Sequence, residues 1–173
     1  ASWPTGLAAF LGEIVGSFIF VGLGEETGFS SFSLPRLLRS RPVLATVAIL
    51  ALTRIIWHLP SFMSGGTEWP VALLLIPTQL IFTWIFIRSG GSAFLLMLAH
   101  TSISAIGYLF TSLFTGPDLA RVIWLEVAAF MIAGAILLIL FGFSAPLAIA
   151  WQALFMFAGA VVIGWLKDGQ EIA

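Results

Sequence analysis

Glu25 and Glu26 stand side by side inside an apolar run, in a chain that holds only two histidines, His58 and His100. A carboxylate at membrane depth is costly unless it is paired, protonated or facing water, so the pair marks a candidate functional site. Neighbours on a helix project about 100° apart, so the two carboxylates cannot aim at one atom. They can divide labour instead, one kept as a base and the other bound to a cation. Arg54 and His58 lie four residues apart, hence on one helical face, and His100 and Ser104 repeat that spacing. Carboxylates and imidazoles together suit water activation. One carboxylate takes a proton from water, and the imidazoles opposite donate to the oxyanion formed when water attacks a peptide carbonyl.

Other chemistries fit these residues less well or stay open. Ser104 with His100 as its base carries little weight, because side chains four apart on a helix seldom reach an attack geometry. A di-iron carboxylate bundle uses Glu-x-x-His pairs, and the positions three before the histidines are Ile55 and Met97. Zinc held by one glutamate and two histidines is chemically open, although no H-E-x-x-H is present. So is a haem or pigment on either histidine. The plain alternative for each imidazole is a hydrogen bond to a backbone carbonyl.

These residues need helices to position them. Hydrophobic residues make up 60% of the 173 positions and charged residues 9%, where an ordinary soluble domain carries about 25% charged. With a mean hydropathy of +1.11, the chain reads as an all-α, polytopic transmembrane bundle. About six stretches are long enough to span. They run from near Leu7 through the glutamates towards Leu34, Val43 to Leu59 with Pro60 as the stop, Pro70 to Ile87, Ser92 to Phe114, Leu119 to Phe141, and Pro146 to Leu166. The first is too long for a simple span, and Gly22 and Gly24 are placed to bend it; Pro77 is placed to kink the third. The turns between spans are rich in Gly, Ser and Pro, and no second domain or repeat is visible, so residues 1–173 form one transmembrane domain.

Arg36, Arg39, Arg41 and Arg88 fall on one side of the alternating spans, with Glu68 and Asp118 on the other. The positive-inside rule places the arginine side in the cytoplasm, although Arg121 and Lys167 fall opposite. A net charge of −1 offers no basic stripe for nucleic acid. Without cysteine there are no disulfides, thiolate nucleophiles or Cys-ligated metals.

Only a shared interior face makes the intramembrane ionisable groups tolerable, so Glu25, Glu26, Arg54, His58 and His100 are expected to converge, with Glu13 and Glu126 elsewhere. At about 1.5 Å per residue, His100 lies about 13 Å from Gly91 and Glu25 about 16 Å from Arg36, which match. His58 lies about 25 Å from Arg41 on that count, a mismatch in depth.

The run Gly24-Glu25-Glu26-Thr27-Gly28-Phe29-Ser30-Ser31-Phe32-Ser33-Leu34-Pro35-Arg36-Leu37 resembles the first motif of the CAAX protease and bacteriocin-processing (CPBP) family, the Abi-type intramembrane endopeptidases. Trp57-His58-Leu59-Pro60 resembles its second motif, and His100-Thr101-Ser102-Ile103-Ser104 its third, in the family's order across about half the chain. The resemblance implies a CPBP-like core over about residues 7–141, with 146–166 as an extra C-terminal span. It implies Glu25 as the general base, His58 beside it, and His100 with Ser104 as oxyanion donors, without a metal or other cofactor. The implied partners are a peptide or protein substrate in the membrane, the lipid bilayer and other membrane subunits. A bacterial-type inner membrane is the implied location, with the Arg36–Arg41 loop cytoplasmic. Family members trim prenylated C-termini or serve bacteriocin maturation and immunity.

Three positions depart from the pattern. Ser30 stands where an arginine is usual, Arg54 replaces an aromatic residue, and Ser104 replaces asparagine. Arg54 is therefore expected to pair with Glu26 from the neighbouring helix. The alternative is a catalytically degenerate member, acting as an immunity factor or as a subunit of a larger complex. A start at Ala1 with few spans ahead of the first motif suggests a piece of a longer chain.

Overall fold

A computed structural model describes residues 3–141, which are helical almost throughout. Inside a bilayer every backbone N–H and C=O must be satisfied within the segment, and apolar helices do this without help. Among the described residues, five helices are long and apolar enough to cross a membrane. The first, α1, is one continuous rod over residues 3–40; α2 is Val43–Ser64, α3 Val71–Arg88, α4 Ala93–Leu113 and α5 Gly116–Ile136, the last continued by a π-helical turn, Leu137–Phe141. The expected span over 146–166 lies outside the described residues.

The arrangement is built on α3. Within its membrane window 67% of residues are buried, against 11% for α1. It packs against α2, α4 and α5, while α1 lies on α4 and packs against α2 chiefly through its last segment. A deeply buried helix reads as apolar all round, and α3 does so apart from Thr78, Gln79, Thr83 and the terminal Arg88. The core joins Leu34 of α1, Leu50 of α2, Ile81, Phe82, Trp84 and Ile85 of α3, Leu96 and Ala99 of α4, and Val127 and Phe130 of α5.

The first helix differs from a regular α-helix in a way the sequence does not announce. Two π-helical segments, Phe18–Leu23 and Thr27–Ser33, flank the short α-turn Gly24–Glu26 that carries both glutamates. Each i→i+5 bond adds a residue to the turn. The buried positions therefore step by four or five, through Ser17, Gly22, Glu26, Ser30 and Leu34, in a nearly straight line. A small or polar stripe on α1 is thus held against α4 and α2 over several turns.

Two helix ends fall elsewhere than their punctuation suggests. Pro60 does not stop α2, which runs on to Ser64. A proline costs one backbone bond, and its φ is already helical. The helix ends at Gly65, whose φ of 74° only glycine adopts freely, with Gly66 N–H donating to Ser61 C=O at 2.9 Å. A Ser61–Thr67 hydroxyl bond of 2.6 Å ties down this last turn. α1 likewise passes Leu34 and Pro35 and ends at Ser40, before Arg41 and Pro42.

Candidate functional site

Glu26 is fully buried at 0% exposure, and its carboxylate is saturated. Arg54 Nη2 donates to both of its oxygens, at 2.7 and 2.9 Å. His100 Nδ1 donates to Oε1 at 2.7 Å, and Ser30 Oγ donates to Oε2. Four acceptor sites are the capacity of a carboxylate, so Glu26 has none left for a ligand. Donors from three helices, α1, α2 and α4, thus meet on one side chain.

Arg54 is buried as completely, at 1%. Its Nε donates to Gln79 Oε1 on α3 at 2.7 Å, and its guanidinium lies over the Phe29 ring at 4.2 Å from the centroid. Phe82 flanks it at 5.5 Å and also meets the His100 ring edge-on at 5.6 Å. The buried cation is therefore paired, hydrogen-bonded and stacked, which is what such a charge requires at membrane depth.

Glu25 is held differently. Arg54 Nη1 stands 3.6 Å from its Oε2, beyond hydrogen-bond range, and the side chain keeps 15% of its surface exposed. Oε2 is buried and accepts no hydrogen bond among the described residues. The two glutamates, about 100° apart on the turn, reach different nitrogens of one guanidinium.

His58 takes the carbonyl bond foreseen as its plain alternative, from Nδ1 to Arg54 C=O at 2.8 Å. A carbonyl only accepts, so Nδ1 carries the hydrogen and a neutral ring has its lone pair on Nε2. His58 stays outside the group formed by Glu25, Glu26 and His100, whose ligand atoms all lie within 4.8 Å of one another. The mismatch in depth has its reason here: the α2 residue that meets the glutamates is Arg54, one turn closer to Arg41 than His58. Ser104 is half-buried one turn beyond His100, with no hydrogen bond to the glutamates or to His100 among the described residues.

The approach of α1 to α4 depends on Gly22. A Cβ there would stand 2.8 Å from Thr101 Oγ1 and 3.0 Å from the Met97 carbonyl oxygen, a backbone atom that cannot swing aside. Gly22→Ala should push α1 off α4, stretch the Glu26–His100 bond and destabilise the chain by about 1–3 kcal/mol. Gly28→Ala meets open space and should leave the thermal midpoint unchanged. Thermal melts of both variants in the same lipid check the contrast.

The family model for "Type II CAAX prenyl endopeptidase Rce1-like" proteins matches residues 7–106, more than half of the chain. The chain belongs to this family. No curated protein and no solved structure matches it. The Rce1-like match runs from α1 through most of α4 and includes Glu25, Glu26, Arg54, His58, His100 and Ser104. It supports a multi-pass, CAAX-type membrane protease at the level of the family.

A metal meets a specific obstacle in this Rce1-like site. The Glu25, Glu26 and His100 cluster has the separation of a ligand set, but the Arg54 guanidinium already sits between the carboxylates. Both Glu26 oxygens and His100 Nδ1 are engaged as well. A divalent ion there would have to displace a buried arginine, so these donors do not fit one.

Sequence reasoning missed Gln79, Thr83, Phe29 and Phe82. Gln79 was findable: an uncharged amide inside an otherwise apolar span marks an interhelical hydrogen bond. Phe29 and Phe82 carry no such signal among 16 phenylalanines.

Proposed function

We propose that the chain is a glutamate-dependent intramembrane endopeptidase whose base is Glu25. The observation that carries this is the asymmetry of the dyad. Glu26 has every acceptor site filled, whereas Glu25 Oε2 accepts nothing and lies beside a partly open face. A carboxylate free to accept is what proton abstraction from water needs.

In the proposed reaction Glu25 takes a proton from water, and the resulting hydroxide adds to the scissile carbonyl carbon. The new C–O bond leaves a tetrahedral oxyanion, to which His100 donates through Nε2–H as the imidazolium whose Nδ1–H is held by Glu26, and Ser104 donates through its hydroxyl. Glu26 orients His100 by accepting from Nδ1, much as a buried carboxylate orients a catalytic imidazole elsewhere. Collapse breaks the C–N bond, and Glu25 returns its proton to the leaving amine. His58, with its Nε2 lone pair turned away from Arg54, assists at the water. The reaction calls for no metal, because Arg54 supplies the positive charge beside the dyad.

Ser30 loses its standing as a defect in this reading. The missing arginine of the first motif is replaced by Arg54 from α2, and Ser30 fills the remaining acceptor site of Glu26. Ser104 favours the second reading, a non-catalytic immunity factor or subunit, because its short hydroxyl reaches less far than an asparagine amide. The substrate is a peptide bond in or near the membrane, with the Arg36–Arg41 segment, where α1 ends, and Arg88 on the cytoplasmic side of an inner membrane.

The test is incubation of the purified chain, in lipid, with a library of membrane-anchored peptides, prenylated and unprenylated, followed by mass spectrometry. Discrete cleavage products are expected. Intact peptides throughout would leave the non-catalytic reading.

A further inference from the structure

We infer that Gln79 is a positioning residue that keeps Arg54 from closing onto the water-activating carboxylate; this rests on reading Glu25 as the base. Gln79 is 0% exposed and comes from the middle of α3, where residues 77–86 are all buried. Its amide orientation is determined by its partners. Arg54 Nε can only donate, so it faces Oε1, at 2.7 Å. Thr83 Oγ1 spends its hydrogen on the Gln79 backbone carbonyl at 2.8 Å, which leaves a lone pair for Gln79 Nε2 at 3.2 Å. A flipped amide would face donor to donor at Arg54 and lone pair to lone pair at Thr83.

The consequence lies in the five N–H groups of the guanidinium. Nε is fixed by Gln79, and Nη2 is fixed by the two oxygens of Glu26. Anchored on two edges, the planar group cannot turn in its own plane. Nη1 is thereby held 3.6 Å from Glu25 Oε2, close enough to attract the charge and too far to form a hydrogen bond. A neutral amide suits this task better than a third carboxylate, because it fixes the cation without competing for its charge. With the Nε anchor gone, the guanidinium can rotate about its remaining edge until Nη1 donates to Oε2, and the base is occupied.

The chain in lipid nanodiscs, treated with a water-soluble carbodiimide and an amine and then mapped by mass spectrometry, reports this directly. The wild type should be modified at Glu25 and spared at Glu26. Gln79→Met, similar in volume, should lower Glu25 modification by about tenfold or more, an effect of the size of one added charged hydrogen bond. Thr83→Val, which leaves Gln79 in place and frees only its nitrogen, should lower it by a smaller factor and covers the case in which Gln79→Met does not fold. With a cleavable peptide, kcat should fall by about tenfold in Gln79→Met with KM unchanged. Glu25 modification equal to wild type in both variants, or a change in KM alone, overturns the inference. A wild type that modifies as expected yet cleaves nothing removes the proposed activity and leaves the labelling contrast to decide the role of Gln79.

Discussion

Arg54→Leu should be among the most destabilising single substitutions in the chain, by about 3–5 kcal/mol, because it strands a buried carboxylate rather than merely deleting an attraction. Glu26 would lose both Nη2 bonds and keep only Ser30 and His100. Gln79 Oε1 would lose its donor as well. Arg54→Lys should fall between the two, since one ammonium cannot reach Gln79 and both Glu26 oxygens in the same fork. Arg54→Leu/Glu26→Leu should recover part of the loss, as the stranded charge leaves with its partner. Thermal melts of the four proteins in one lipid mixture check the series. A single leucine variant as stable as wild type would mean that the two groups are not paired.

Glu25→Gln should do the reverse, leaving stability nearly intact while removing activity. The amide has the volume of the carboxylate, and the oxygen it alters makes no hydrogen bond. The only interaction weakened is the 3.6 Å approach of Arg54 Nη1. An amide cannot accept the proton of water, so peptide cleavage should fall by about 10²–10⁴-fold, the usual weight of a general base. Product formation at the wild-type rate would remove Glu25 from the chemistry.

Much of the site is legible in the sequence because ionisable residues are costly in a membrane and must meet one another. Glu25, Glu26, Arg54 and His100 stand out on that ground alone, and the structure brings their side chains together. The spans are legible for the related reason that apolar runs of sufficient length have few alternatives. The shape of α1 was not legible. Its π-helical segments arise from packing a small-residue stripe against α4 over several turns, and no local propensity encodes a turn one residue longer. Pro60 misleads because a proline near a helix end removes one bond without ending the helix. His58 looks like a member of the cluster when faces are counted, yet its Nδ1 is satisfied by the carbonyl one turn back. Ser30 looks like a loss when set against a motif, and is an acceptor's partner when set against Glu26.

The architecture has a logic that follows from burial. The most deeply buried helix, α3, supplies no ionisable group to the dyad, only the amide that fixes Arg54. The helix with the least cover, α1, supplies both carboxylates. Rigid support and partial access are thus assigned to different elements, as the proposed function, which needs water and a peptide to enter, requires.

The most direct test of this division is a side-by-side comparison of Glu25→Gln and Glu26→Gln in thermal melts and peptide cleavage. Glu25→Gln is expected to melt like wild type and cleave nothing. Glu26→Gln is expected to melt well below it, since the amide nitrogen that replaces one oxygen would face Arg54 and either His100 or Ser30 donor to donor. Equal melting points for the two variants, or cleavage surviving in Glu25→Gln, would contradict the assignment of one glutamate to structure and the other to water.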